Sequence, residues 1–261
     1  NIFNNIYYII LDGMTSLNVA SRVLELNVKR FYDFVEQNDL VYIENSRSSY
    51  NTTPQTLASV MNLAPIHRDD ERVHIGESVQ FPLMMMDDDV PLLDLLYDLG
   101  YEFKWFGNEL AKCKVYLRDN RFSSPCEKID ISEKTSLFSH VLLAFLSDTP
   151  LFPIQTKLAN LIGGRSISGQ FELNDALGRH SKEYQTQGKP LQPTFTLIHH
   201  FSPHMPYIYD ADCNERPVDW ILFTPEFKKN RDYISHIEGY RDAYECALKK
   251  VRVFIKTIST S

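Results

Sequence analysis

An apolar run close to the amino terminus constrains the fold of this chain more than any other segment. Residues 6–11, Ile-Tyr-Tyr-Ile-Ile-Leu, are followed directly by Asp12 and Gly13. A short apolar run without polar alternation predicts a strand, over 6–12, that is covered on both faces, as in parallel sheets. In open α/β sheets, ligands bind beyond the carboxyl ends of the strands. The sequence therefore places Asp12 at the edge of a sheet where a site is expected.

The order of predicted elements indicates an α/β fold over residues 1–261, with a mostly parallel central sheet and helices on both faces. Helical spacing predicts a helix over 17–37, a short strand follows at 41–43, and a second helix covers 55–61. Further along, we predict strands at 101–106 and 193–200 and helices at 90–99, 136–146, 154–161, 170–184 and 232–258. We expect one continuous domain.

The bulk composition is that of an ordinary globular protein. The chain has 261 residues, 43% of them hydrophobic, and a net charge of −7, so it can bury a sizeable core. No basic stripe accompanies the aromatic residues, and we expect no nucleic-acid partner. No apolar run reaches the 18 or so residues of a membrane span. Because a core strand follows Asn1 almost at once, we interpret the sequence as part of a longer protein with a possible anchor elsewhere.

A hydroxyl-rich loop precedes the helix at 55–61 and supplies a candidate nucleophile. Thr52 and Thr53 stand just before Pro54, which fits the first turn of a helix. Free N–H groups at such a helix start can bind an anion. These threonines can instead be simple helix caps, and Asp12 can be a turn residue. If Asp12 holds a metal ion beside Thr53, however, the metal would activate the hydroxyl for attack.

Three histidines follow the predicted strand at 193–200. His199, His200 and His204 lie within six residues, and His204 stands between two prolines that stiffen its loop. Any one of them can be a core or surface residue. Their grouping at a strand's carboxyl end favours a site, with His204 as a donor to a substrate oxygen.

Two other groups of residues carry less chemistry. Asp87, Asp88 and Asp89 resemble a metal cluster but directly precede a predicted helix, where acidic residues suit the dipole. The four cysteines form no Cys-x-x-Cys pair, and their spacing leaves buried thiols and one or two disulfides equally open. They are Cys113, Cys126, Cys213 and Cys246.

Taken together, these segments resemble the sulfatase-like branch of the alkaline phosphatase superfamily. The resemblance rests on residues 5–13, on 44–59 and on the Pro-His-x-Pro-Tyr sequence within 199–207. It also includes Asp210-Ala211-Asp212 and Tyr240-Arg241-Asp242. The segment 107–190 carries little of the family's signature.

The resemblance implies roles for individual residues. Asp12 would be a metal ligand, and Thr53 would be both the nucleophile and a metal ligand, with Thr52 as the neighbouring alternative. His204, His200 and Asn51 would bind substrate. The metal would be a divalent ion, most commonly zinc or manganese in this family. The substrate would be an anionic ester, phosphate or sulfate.

Two departures from the family pattern refine this expectation. No cysteine begins the Cys-x-Pro-x-Arg segment of sulfatases, so threonine-based phosphoryl or phospho-alcohol transfer is favoured over sulfate hydrolysis through a modified cysteine. The family's Asp-His-Gly metal segment is also absent before Ser261, so we expect an incomplete alkaline-phosphatase-like fold truncated on its carboxyl side.

The sequence therefore leads to two functional hypotheses. The first is a metal-dependent hydrolase or transferase of phosphate or sulfate esters. Relatives of this kind act on cell-envelope lipids or polysaccharides, which implies an extracytoplasmic, membrane-associated location. The second is a non-catalytic α/β module that binds a glycan or a protein partner.

Overall fold

The computed structural model describes residues 4–44, 46–50, 52–65, 90–107, 175–188, 190, 192–204, 207–216 and 233–259, without the side chains of Pro54 and 233–235. Its elements are β1 (Ile6–Leu11), α1 (Leu17–Val23), α2 (Lys29–Gln37), α3 (Thr53–Met61), α4 (Pro91–Asp98), β2 (Glu102–Phe106), α5 (Ala176–Gln187), β3 (Thr194–His200) and α6 (Tyr233–Ser259). The predicted helices at 136–146 and 154–161, the Asp87–Asp89 run and Asn51 lie outside these residues.

The three described strands form a parallel sheet in the order β1-β3-β2. Ile6 pairs with Phe195 and Leu11 with His200, while Phe106 of β2 pairs with Ile198. The last strand in the sequence is therefore the central one, and β3 is buried at Thr194 and from Thr196 to His200. An uninterrupted buried strand of this kind is typical of a parallel sheet with both faces covered. The predicted α/β fold with a parallel sheet is confirmed.

Alternate side chains of the sheet pack on two separate helical layers. On one face, Leu197 joins α3 and α4 in a core of Leu57, Ala58, Met61, Val90, Leu92, Leu93, Leu96, Phe103 and Trp105. On the other face, Ile198 joins α5 and α6 in a core of Phe106, Ala176, Leu177, Val251 and Phe254. Because Leu197 and Ile198 are consecutive, they point to opposite faces. The helices therefore cover both sides of the sheet.

The predicted helix over 17–37 is wrong as a single element. It breaks after α1, where Glu25 has a φ of 54°, and helix resumes only at Lys29. Leu24, Leu26 and Val28 are all buried. Side chains at every second position do not share one face of a helix, so a continuous helix could not bury all three. These side chains instead pack with Tyr244 of α6, and that packing outweighs the helical spacing.

The predicted strand at 41–43 is also wrong. Val41 and Ile43 are 87% and 71% exposed, so their apolar side chains are not packed into a core. Only Tyr42 is held, by an edge-on contact with Tyr32 of α2 at 5.2 Å between ring centres. None of the described strands pairs with this short apolar triplet, which is irregular.

A disulfide joins the segment after β3 to the last described helix. Cys213 and Cys246 are bonded, with their Cα atoms 5.0 Å apart, which selects one of the alternatives that the sequence left open. Cys113 and Cys126 lie outside the described residues. Among the helices that the structure describes, none is both long and apolar enough to cross a membrane.

Candidate active site

Asp12 and Thr53 meet at the carboxyl edge of the sheet. The Thr53 hydroxyl donates a hydrogen bond of 2.8 Å to Oδ1 of Asp12 across 41 residues of sequence. Asp12 follows β1, and its N–H donates to the carbonyl of His200 at 2.9 Å, which continues the ladder with β3. Thr53 is the first residue of α3. The convergence of these two side chains is as the sequence predicts, while their chemical roles remain predictions.

The start of α3 is held in place by the loop before it. Thr52 is the N-cap, and its carbonyl accepts the first helical bond from the Thr56 N–H at 3.1 Å. The Ser48 hydroxyl lies 3.3 Å from the Thr56 hydroxyl and donates to the Tyr50 carbonyl at 2.7 Å. The Thr52 hydroxyl donates to the Gln55 side chain at 2.9 Å. Thr52 therefore acts locally, and only its neighbour reaches the carboxylate.

His199 lies beside this pair on the same face of the sheet. Its side chain is only 1% exposed, and Nε2 is 3.5 Å from Oδ2 of Asp12. Neither ring nitrogen has a hydrogen-bond partner among the described residues. The sequence placed His199 in a group of three histidines but gave it no role of its own. Strand alternation could have separated His199 from His200, because consecutive residues of a strand project to opposite faces, and the register with β1 assigns His199 to the face of Asp12.

The environment keeps Asp12 ionised. Burial by itself raises the pKa of this carboxyl, but the nearby His199 imidazole and the Thr53 hydrogen bond together outweigh burial, and His204 acts in the same direction. The net result is a pKa below the ordinary value for aspartate. A carboxylate that stays ionised attracts a cation and is a weak base.

His204 lies above Asp12 in the turn after β3, next to Gly13. Its N–H donates to the Phe201 carbonyl at 2.9 Å, and its ring lies 4.9 Å from the Phe201 ring. Gly13 has a φ of 70°, and a Cβ built there would be 3.3 Å from the His204 Cα. The His204 imidazole is exposed, as a substrate-binding residue requires.

The structure separates His200 from the other candidates. It points to the opposite face, is 0% exposed, and its Nδ1 lies 3.8 Å from Oδ1 of Asp175. Burial lowers the His200 pKa to about 3 despite the Asp175 charge, so the ring is neutral. Lys250 of α6 pairs with Asp175 at 2.5 Å. This position does not support the predicted contact of His200 with substrate, because the sheet lies between it and the Asp12–Thr53 pair.

Two tyrosines of α6 support the turn that carries Asp12. The Tyr240 hydroxyl donates to the Gly13 carbonyl at 2.8 Å and accepts from the Thr15 N–H at 3.0 Å. The Tyr244 hydroxyl donates to the Thr15 carbonyl at 2.9 Å. Burial raises the pKa of both hydroxyls above the ordinary tyrosine value, so they stay protonated donors. The position of Asp12 therefore depends on a helix more than 220 residues away.

A polar groove of about 570 Å³ begins next to this turn. Its lining includes Thr15 and Ser16 of this turn and the segment from Ser46 to Ser48. The other lining residues include Arg22, Glu44, Tyr32 and Tyr42. Hydroxyls, arginines and aromatic rings together suit a polar ligand with an anionic group. Ser48 belongs both to this groove and to the contact with α3, so the groove adjoins the candidate site.

The donor atoms around Asp12 fit a divalent cation. Atoms that bind one ion at about 2.0–2.2 Å lie about 2.8–3.6 Å from one another at tetrahedral or octahedral angles. The observed separations are 2.8 Å between Thr53 and Asp12 oxygens and 3.5 Å between His199 Nε2 and Asp12. Among the described residues, no three His, Cys, Asp or Glu side chains form a potential metal cluster. The donor set found here is different, since one member is a hydroxyl.

Comparison with known proteins adds no relative. No family model, curated protein or solved structure matches this chain.

Proposed function

We propose that this chain carries the nucleophile half of a metal-dependent hydrolase or transferase of phosphate esters, in an alkaline-phosphatase-like α/β domain. Thr53 is the nucleophile, and Asp12 with Thr53 holds a zinc or manganese ion. The observation that carries this proposal is the 2.8 Å bond between Thr53 and Asp12 at the carboxyl edge of a parallel sheet. That edge is where α/β enzymes bind their ligands.

The surroundings of Thr53 suit an anionic substrate. Thr53 stands at the first position of a nine-residue helix, whose N-terminus carries partial positive charge and free N–H groups. The non-bridging oxygens of a phosphoryl group placed against the Thr53 oxygen would accept hydrogen bonds from those N–H groups. The exposed imidazole of His204 would stabilise charge on another oxygen of the same group.

The reaction then proceeds in two displacements. A bound divalent cation would supply Lewis acidity, which lowers the pKa of the Thr53 hydroxyl and polarises the phosphoryl group. Thr53 Oγ1 gives its proton to solvent and bonds to phosphorus while the bond to the ester alcohol breaks, and that alcohol takes a proton from solvent. Water or an acceptor alcohol then bonds to phosphorus and gives its proton to solvent, while Oγ1 leaves and recovers a proton. Asp12 stays ionised throughout, since its lowered pKa makes it a weak base.

The remaining parts of the proposal concern substrate and location. The groove lined by Arg22 and Arg47 would hold the part of the ester beyond the phosphoryl group. A sulfate ester is also tetrahedral and anionic and is the second substrate class. The resemblance to envelope-modifying enzymes favours an extracytoplasmic site of action, with a membrane anchor outside this segment.

Matched threonine variants test the nucleophile. We expect Thr53→Ala to lower hydrolysis of bis(p-nitrophenyl) phosphate about 1,000-fold or more, because it removes the attacking atom. Thr52→Ala is the control, since its hydroxyl bonds only within its own helical turn, and it should keep most of the activity. Equal activity in all three proteins would refute the role of Thr53.

Metal content tests the carboxylate independently. Asp12→Asn removes the charge but keeps the shape of the side chain. We expect the variant to lose its stoichiometric zinc or manganese, measured by elemental analysis, while circular dichroism stays unchanged. Asp33→Asn, on the exposed face of α2, is the control for loss of one negative charge. Unchanged metal content in Asp12→Asn would contradict the proposal.

A non-catalytic binding module is the second candidate, and the groove favours it. Its hydroxyls, arginines and tyrosines can bind a glycan without any reaction. Tyr42→Ala would then abolish glycan binding in an array assay, whereas Asp12→Asn would leave it intact.

A further inference from the structure

We propose that His199 supplies a nitrogen donor to the cation held by Asp12 and Thr53, and that the site consequently prefers zinc. This inference rests on the proposed function, because it concerns the same ion. It adds a third side chain and a choice of metal.

The strand register places His199 on the same face of the sheet as Asp12. Leu11 pairs with His200, so His199 pairs with Ile10 and projects with it toward the α3 layer, in which Ile10 is also packed. Asp12 is two residues beyond Ile10 and projects to the same face. Thr53 opens the helix that covers this face. Side chains from β3 and α3 therefore both lie against the Asp12 carboxylate, Thr53 at Oδ1 and His199 at Oδ2.

The burial of His199 calls for a partner. The side chain is 1% exposed, and neither nitrogen has a hydrogen bond among the described residues. Buried polar atoms in native proteins are nearly always satisfied by protein, water or an ion. Asp12 Oδ2 lies 3.5 Å from Nε2, which is too far for an ordinary hydrogen bond. The separation instead suits two atoms that share an ion, since ligands of one tetrahedral zinc lie about 3.3 Å apart.

An imidazole donor changes which metal the site selects. Sites of oxygen atoms alone suit magnesium, calcium and manganese, whereas imidazole suits zinc. Three protein ligands also match the usual number in a catalytic zinc site, where a fourth position stays open for water or substrate. The structure thus favours zinc over manganese.

The neighbouring histidine provides a matched control. His200 is also fully buried without a hydrogen bond to either nitrogen, but it faces Asp175 on the other side of the sheet. His199→Phe and His200→Phe each replace a buried imidazole of β3 by a ring without nitrogen. Only His199→Phe removes a proposed ligand.

The test is zinc affinity of the purified chain, measured by competition with a chromogenic chelator, together with X-ray absorption of the zinc-loaded protein. We expect His199→Phe to lower zinc affinity at least tenfold, and by more than the effect on manganese. The absorption spectrum should show one imidazole fewer than the wild type, and His200→Phe should match the wild type in both measurements. If His199→Phe does not fold by circular dichroism, His199→Gln, which keeps a polar side chain, should show the same loss.

The outcomes separate this inference from the proposed function. Wild-type zinc affinity and imidazole count in a folded His199 variant would overturn the role of His199. If Asp12→Asn still lost zinc in that case, the proposed function would stand. If the wild-type chain bound neither zinc nor manganese, both proposals would fall.

Discussion

Gly13→Ala tests how tightly the turn after β1 fits against the loop after β3. Gly13 has a φ of 70°, a conformation that costs a residue with a Cβ about 1–2 kcal/mol. The added Cβ would also lie 3.3 Å from the His204 Cα and 3.4 Å from its Cβ. These atoms belong partly to backbone, so relief requires a shift of the chain. We expect crowding to add about 1 kcal/mol, as overpacking does elsewhere, for a total of about 2–3 kcal/mol.

A second glycine isolates the backbone contribution. Gly100 has a φ of 76°, and a Cβ built on it meets no atom of the described residues within 4 Å. Gly100→Ala should therefore cost only the conformational part, about 1–2 kcal/mol. Urea denaturation of both variants gives the two free energies, and their difference is the crowding against His204. Equal free energies for the two variants would refute the close approach. Hydrolysis should fall in Gly13→Ala alone, because the shift moves His204 relative to Asp12.

Two further predictions concern the α6 side of the sheet. Lys250→Met removes the ammonium beside Asp175. Burial raises the pKa of Asp175, but the charge and hydrogen bond of Lys250 and the hydrogen bond from the Gly178 N–H hold it below the ordinary value. The pair is mostly buried, and we expect a loss of about 2–3 kcal/mol in urea denaturation at pH 7, below the value for a fully buried pair. A carboxylate whose pKa is lower in the folded state stabilises the fold above about pH 4. This stabilisation is lost as the pH falls through the pKa of the folded state. Between about pH 5 and pH 2, the free energy of unfolding should therefore fall less in the variant than in the wild type. An equal fall in both proteins would contradict the ion pair. Tyr244→Phe removes the donor to the Thr15 carbonyl, should cost about 1–1.5 kcal/mol, and should accelerate amide hydrogen exchange in the turn after β1. Unchanged exchange there would contradict the contact.

Much of the sheet could be predicted because its segments are apolar and bounded by turn residues. β1 and β3 each begin or end within one residue of the predicted bounds, and α6 does so as well. The order of the strands could not be predicted, since β3 enters between two strands that precede it in sequence. The break between α1 and α2 depends on burial against Tyr244, which no local pattern reveals.

The site was predictable where it follows from the ends of elements. Asp12 ends a strand and Thr53 begins a helix, so their positions follow from the fold class alone. Alternation along the strand predicts that His199 and His200 lie on opposite faces, but only the register with β1 shows that His199 is the one on the face of Asp12. The support from the α6 tyrosines depends on tertiary contacts across more than 220 residues, and sequence spacing carries no record of them.

The link between α6 and the first turn has a consequence for biosynthesis. During translation, the peptide bearing Asp12 emerges from the ribosome first, but the hydroxyls that hold its carbonyls belong to Tyr240 and Tyr244. Contacts of such long sequence separation form late and slowly. A nascent chain arrested before residue 240 would therefore display the acidic loop without its support. If the proposed zinc site exists, it would become competent to bind the ion only after the amino-terminal half of this helix, with Tyr240 and Tyr244, has been made.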